Sequence, residues 1–331
     1  MGRAATEPRM RGTMNIWLRL TLILFLGLLC HSILSAQTNM AFERGIATSV
    51  RASLRHSVHI HDDDSDSEMP LREEEVIRKS FAMTAPNAPR IVEIDNVFGS
   101  IDVVGSAGDQ AQLVVKKTIR AESKEKIEQA KKDVTLDVNQ QGNSVSLYVN
   151  GPFRCQCQGC VNFDRDTGYV VKMDFELQIP TNTSLKLKTV NEGHVKVQNV
   201  TGEYTVRNVN GGIEMLNVGG SGHVRTINGG VKVTFRENPH ANSEYASLNG
   251  DVELYFARNL SVDFRFKTFN GGVYSDFLLA ALPQQAVKEE RRNGKLIVRA
   301  DRYTGGRVGN GGPEIRVENF NGDIRVLERH D

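Results

Sequence analysis

The sequence predicts an all-β chain, a parallel β-solenoid of about twenty-residue coils with one short helix inserted near 123–134. Three observations carry that expectation. An apolar residue followed by Asn recurs at Asn191, Asn210, Asn228, Asn249, Asn270 and Asn321, and the first five of these stand 19, 18, 21 and 21 residues apart. Between them apolar and polar residues alternate with period two, as half-buried strands require. Glycine is plentiful, 30 residues against nine prolines, which suits tight turns joined by strands rather than a disordered chain.

Taken in chain order, residues 1–36 read as a signal peptide or an N-terminal anchor. A basic stretch ends at Arg19, the run "LTLILFLGLLC" follows, and the small residues Ser35 and Ala36 mark a cleavage point. The apolar run is shorter than the roughly 20 residues of a spanning helix, which favours cleavage; left uncleaved, it is the chain's one expected tie to a membrane. Cys30 follows Leu29, too bulky for lipoprotein processing. Either outcome places the remainder outside the cytoplasm, in the periplasm, the cell envelope or the extracellular space.

Residues 37–72 read as a flexible linker. His56, His59 and His61 stand beside Asp62, Asp63, Asp64, Asp66 and Glu68, ligand types that could collect a divalent ion. No apolar period holds them in place, so a solvated tether is the expectation.

Residues 73–331 read as the β-strand-repeat domain. "RIVEIDNVFGSIDVVG" and "AQLVVKKTIRA" alternate as strands do. "SKEKIEQAKKDV" reads as the inserted helix, with Ser123 as N-cap, Glu125 in the first turn and Lys131 and Lys132 in the last, where they suit the helix dipole. Strands resume at "SVSLYVN" and "YVVKMDFELQIP", and from Leu185 to Val326 nearly everything is strand and turn.

The repeat itself aligns on Val190, Val209, Ile227, Leu248, Phe269 and Phe320, each just before its Asn. In all but the first copy Gly follows the Asn, and an aliphatic residue stands three positions after it: Ile213, Val231, Val252, Val273 and Ile324. Asn-Gly supplies the positive φ of a sharp corner. Alternation points Ile213, Met215, Val231, Val233, Phe264 and Phe266 inward and Glu214, Lys232 and Arg265 outward. Stacked coils would pair as parallel strands, setting the residues before each Asn in one apolar column and the asparagines in a ladder. A meander of hairpins competes, because Asn-Gly is also a hairpin turn; in-phase repetition of the whole unit favours stacking.

The order "FELQIP", "LKLKTVNEGHVKV", "VNGGIEML", "INGGVKV", "LNGDVELYF", "FNGGVYSDF" and "FNGDIRVLE" resembles the bacterial putative-adhesin family of glycine-rich β-strand-repeat domains, over roughly residues 80 to 328. The resemblance implies a surface-binding role by name only, and it brings no catalytic motif.

"RCQCQGC" departs from that pattern. Cys155, Cys157 and Cys160 are the cysteines left after removal of a signal, and in an oxidising compartment they are disulfide candidates, with the third thiol free or paired between chains. A C-x-C-x-x-C thiolate cluster is also a candidate metal site, although a closed zinc site wants a fourth ligand. No cofactor is implied. There is no G-x-S-x-G elbow, no H-E-x-x-H and no Walker loop, and His194, His223, His240 and His330 are scattered. The chain therefore reads as an exported non-enzyme with a structural or adhesive role, meeting a cell-surface or envelope polymer or protein, with balanced charge, 41 basic against 40 acidic residues, giving no footprint for nucleic acid. The alternative is a carbohydrate-active β-helix enzyme, a polysaccharide lyase or hydrolase, using outward carboxylates such as Glu214 and Glu253.

Overall fold

The computed structural model describes residues 69–154, 167–282, 288–292, 295–299 and 303–330. The chain begins with β1 (Leu71–Ala82), β2 (Ile91–Asp95), β3 (Ile101–Ser106) and β4 (Gln110–Ala121), followed by the helix α1 (Lys124–Asp133). Next come β5 (Thr135–Gln141), β6 (Ser144–Asn150), β7 (Tyr169–Pro180), β8 (Ser184–Lys188), β9 (Val195–Gln198), β10 (Tyr204–Arg207), β11 (Ile213–Val218), β12 (Gly222–Asn228) and β13 (Val231–Phe235). The last part holds β14 (Ser243–Asn249), β15 (Val252–Phe256), β16 (Val262–Asn270), β17 (Val273–Ser275), β18 (Ala280–Leu282), β19 (Lys288–Arg292), β20 (Lys295–Arg299), β21 (Thr304–Val308), β22 (Glu314–Asn321) and β23 (Ile324–Glu328). The fold is all-β as expected, and β1 begins at Leu71, inside the stretch assigned to the linker.

Two large mixed sheets hold most of these strands. One runs β1-β4-β7-β3-β9-β11-β13-β15-β23-β17, the other β18-β21-β16-β22-β14-β12-β10-β8-β2-β6-β5. Between β8 and β15 successive strands alternate between the two sheets, so each rung of chain gives one strand to each. Neighbouring rungs pair in parallel: Ile213 opposite Val195 and Val231, and Val231 opposite Val252. The inward residues are buried, including Ile213, Met215, Val231, Val233, Phe264 and Phe266, which fill the space between the sheets. Phe235 and Phe256 stack within it at 4.6 Å, and the hydroxyls of Tyr204 and Tyr245 meet at 2.6 Å, burial pushing both phenols up.

Rung order departs from chain order at both ends. The C-terminal rung β22/β23 lies between β14/β15 and β16/β17, with Val252 and Val273 both opposite Ile324. Near the other end β3 lies between β7 and β9, and β2 between β6 and β8. Antiparallel strands close the stack: β4 on β7 and β1 on β4, β5 on β6, and β21 on β16. β1 is an edge strand whose exposed residues are largely charged, among them Glu73, Glu74, Glu75, Arg78 and Lys79, which guards against edge pairing.

The helix forms as the sequence predicts. Ser123 Oγ accepts the Lys126 N–H, Ile127 and Ala130 are buried, and the last turn carries Lys131 and Lys132. The buried Lys117 ammonium donates to Val134 O at 2.7 Å and so satisfies a carbonyl at the helix end; burial lowers the pKa of this amine.

Candidate functional site

The Asn corner is built in three layers. Outermost in the turn, each Asn side chain donates to the one on the adjacent rung: Asn210 Nδ2 to Asn191 Oδ1 (2.5 Å), Asn228 to Asn210 (2.7 Å), Asn249 to Asn228 (2.8 Å), Asn321 to Asn249 (2.7 Å) and Asn270 to Asn321 (2.8 Å). The amides thus run through all six copies, in rung order rather than chain order. Glycine follows because the rungs approach closely there: a Cβ on Gly229 would stand 2.4 Å from Gly211 O, and its φ of +156° already favours glycine.

Beneath the ladder is a buried polar column. Two residues before five of the six Asn stand Thr189, Asn208, Thr226, Ser247 and Asn319, whose side chains donate to the carbonyls of Gly99, Gly193, Gly211, Gly229 and Gly250 in turn, at 2.8 to 3.0 Å. The repeat alignment did not single out these residues. The signal that could have found them is the invariably small polar side chain two places before Asn, Thr268 included.

The apolar column also exists, and it faces away from the core. Val190 is buried, but in rung order Leu248, Phe320 and Phe269 are 37%, 44% and 68% exposed. The rings of Phe269 and Phe320 stack at 4.8 Å and 4°. Strand alternation dictates this orientation: with the small polar residue turned inward, its successor must point out.

The outer face of the ten-stranded sheet carries a charge ladder. Asp102, Lys196, Glu214, Lys232, Glu253 and Arg325 lie side by side on successive strands with alternating sign. Lys196 Nζ is 3.3 Å from Glu214, and Arg325 reaches Asp251, Glu253 and Asp323 at 2.7, 3.1 and 2.7 Å. The Asp323 backbone N–H, followed by the Arg325 guanidinium, holds the Asp251 carboxyl below its ordinary range. Lys232 stands between the two carboxylates considered for catalysis, Glu214 and Glu253. Each is matched to a cation, which suits solubility and register more than proton transfer.

At one end of this row Ser100 Oγ lies 3.3 Å from His194 Nδ1, and His194 Nε2 lies 3.1 Å from Asp102 Oδ1. The imidazole is 56% exposed, so water competes for both bonds and nothing holds the hydroxyl in line with the ring. His223 lies 3.8 Å from Glu244, away from His194 on the other sheet. Among the described residues no group of three or more His, Cys, Asp or Glu could hold a metal ion. Cys155, Cys157 and Cys160, the His56, His59 and His61 cluster, and the N-terminal 1–36 lie outside the described residues. No helix among the described residues is long and apolar enough to cross a membrane.

No family model and no curated protein matches the sequence. Solved structures do resemble it. A putative cell adhesion protein from Clostridium sporogenes is 13% identical, with 78% of this chain and 100% of that one covered and a TM-score of 0.37. A putative adhesin from Bacteroides fragilis is 12% identical, with 77% and 97% covered and a TM-score of 0.35. A putative lipid binding protein from Parabacteroides distasonis is 12% identical, with 78% and 97% covered and a TM-score of 0.25. The first two of these solved structures carry adhesion names.

Proposed function

We propose that this chain is an exported, non-catalytic β-solenoid with a structural or adhesive role, meeting a cell-surface or envelope polymer or protein along its Asn corner. The parallel pairing of rungs 18 or 21 residues apart supports the solenoid reading. The observation that carries the contact surface is the outward column Leu248, Phe320 and Phe269. A row of large apolar side chains in water costs solubility, and here the amide ladder and the glycine carbonyls beneath fix it at rung spacing. Contact surfaces draw most of their energy from a few such anchors.

The test is the double substitution Phe269→Ser and Phe320→Ser. Exposed positions contribute within roughly 0.5 kcal/mol to folding, so the melting temperature should hold. Retention on the envelope fraction of the producing cell should fall about tenfold, as for the loss of roughly 1.4 kcal/mol of binding. Unchanged retention would place the contact elsewhere. The enzyme reading draws on the gathering of Asp251, Glu253 and Asp323, yet Arg325 occupies the centre of that group. New ends appearing in an envelope polysaccharide, and lost in Glu253→Gln, would establish the enzyme instead.

A further inference from the structure

Asn followed by Gly is the sequence most open to self-deamidation, because the glycine nitrogen is unhindered by a side chain. The corner contains five such steps, at Asn210, Asn228, Asn249, Asn270 and Asn321. We propose that the ladder protects four of them and leaves Asn270 as a built-in modification site.

The reaction needs two freedoms. The backbone nitrogen of the glycine must attack Cγ of the Asn, and the side-chain amide must turn to receive it. The ring closes as the N–Cγ bond forms, and the side-chain NH2 leaves as ammonia with the glycine amide proton. Water then opens the succinimide to aspartate or isoaspartate.

On interior rungs both freedoms are withheld. The N–H groups of Gly211, Gly229, Gly250 and Gly322 donate to the carbonyls of Asn228, Asn249, Asn321 and Asn270, at 2.8 to 2.9 Å. Their Asn side chains are tied at both ends, Nδ2 to one neighbour and Oδ1 to the other. Asn270 is on the last rung. Its Nδ2 donates to Asn321, but no further Asn donates to its Oδ1, and among the described residues no carbonyl accepts the Gly271 N–H. The hydroxyl below it, Thr268 Oγ1, is buried without a partner, where Thr226 and Ser247 reach the preceding glycine carbonyl. Asn210 and Asn321 are half-buried, but Asn228 and Asn249 are exposed like Asn270, so water access does not separate all the sites. Hydrogen bonding does.

Conversion has a defined consequence. The amide that donated to Asn321 Oδ1 becomes a carboxylate, so acceptor faces acceptor and the last ladder bond is lost. A negative charge then stands beside Phe269, the most exposed ring of the column. The chemistry is independent of what the column binds and is read without any ligand.

The experiment holds the native protein at mildly alkaline pH and follows each Asn-Gly peptide by mass spectrometry over weeks. Asn270 should convert about tenfold faster than Asn210, Asn228, Asn249 and Asn321, the rate effect of hydrogen bonds worth on the order of 1.4 kcal/mol in total. In denaturant the five rates should converge. Equal rates in the native protein, or an interior site converting first, would overturn the proposal; so would an Asn270 that is equally favoured in denaturant, since the cause would then be local sequence. Asn150, Asn293 and Asn310 lie in other peptides and are scored apart, and Asn270→Gln should remove the fast phase alone.

Discussion

Gly229 shows how much one residue carries. Its φ is +156°, and a Cβ there would meet Gly211 O at 2.4 Å and Gly212 N at 2.7 Å. Gly108 has a φ of +114° and nothing within 4 Å of the added atom, so it separates backbone strain from the clash. Gly108→Val should cost about 1–3 kcal/mol for strain alone, and Gly229→Val about 2–6 kcal/mol, because overpacking adds to the strain. Denaturant midpoints of the two variants check this, and equal shifts would mean that the rungs do not approach so closely. At this scale the corner was legible in part. Asn-Gly announces a positive-φ turn by its own chemistry. The close approach of the preceding rung, which makes glycine necessary, involves a residue 18 positions away and has no local signature.

Among the elements, the strands and α1 were legible because their causes are local: period-two alternation for the one, and the Ser123 cap with late lysines for the other. What alternation left open was the side each residue faces at the corner. Thr226 turns inward and donates to Gly211 O at 2.8 Å, sending Ile227 outward. Thr226→Val keeps the shape and removes the donor, leaving a glycine carbonyl without its partner. It should cost about 1–3 kcal/mol. Asn228→Ala, whose partners can turn to water, should cost less, on the order of 1 kcal/mol. Melting curves that reverse this ranking would assign the stability to the outer ladder. The candidate site followed the same division. Glu214 and Glu253 were found as outward carboxylates, but their neutralisation by Lys196 and Arg325 depends on strands 18 and 72 residues away.

For the whole molecule, rung order is the decisive property. The chain's last rung, β22/β23, sits inside the stack, with Ile315, Val317, Ile324 and Val326 almost wholly buried. Deleting residues 314–331 therefore should not shorten the protein by an end rung. Those four side chains alone bury about 6–12 kcal/mol of apolar stabilisation, comparable to the roughly 5–15 kcal/mol that holds a domain folded. The expected outcome is loss of hydrogen-exchange protection in β14 to β17 as well; protection there that survives the deletion would show that these rungs hold each other without the insert. By itself the sequence determined the all-β class, the alternation within the strands, the helix and the spacing of the corners, since each rests on contacts within a strand or turn or on a repeat of about twenty residues. Only the tertiary structure decided that 314–328 lies between 243–256 and 262–275, that β1, β4 and β5 close one end, and that the apolar column looks outward. The reason is physical: parallel strands from any two rungs can form the same backbone bonds, so the order is chosen by which inward faces fill the space between the sheets, and that choice joins residues 51 to 72 apart with no period to record it.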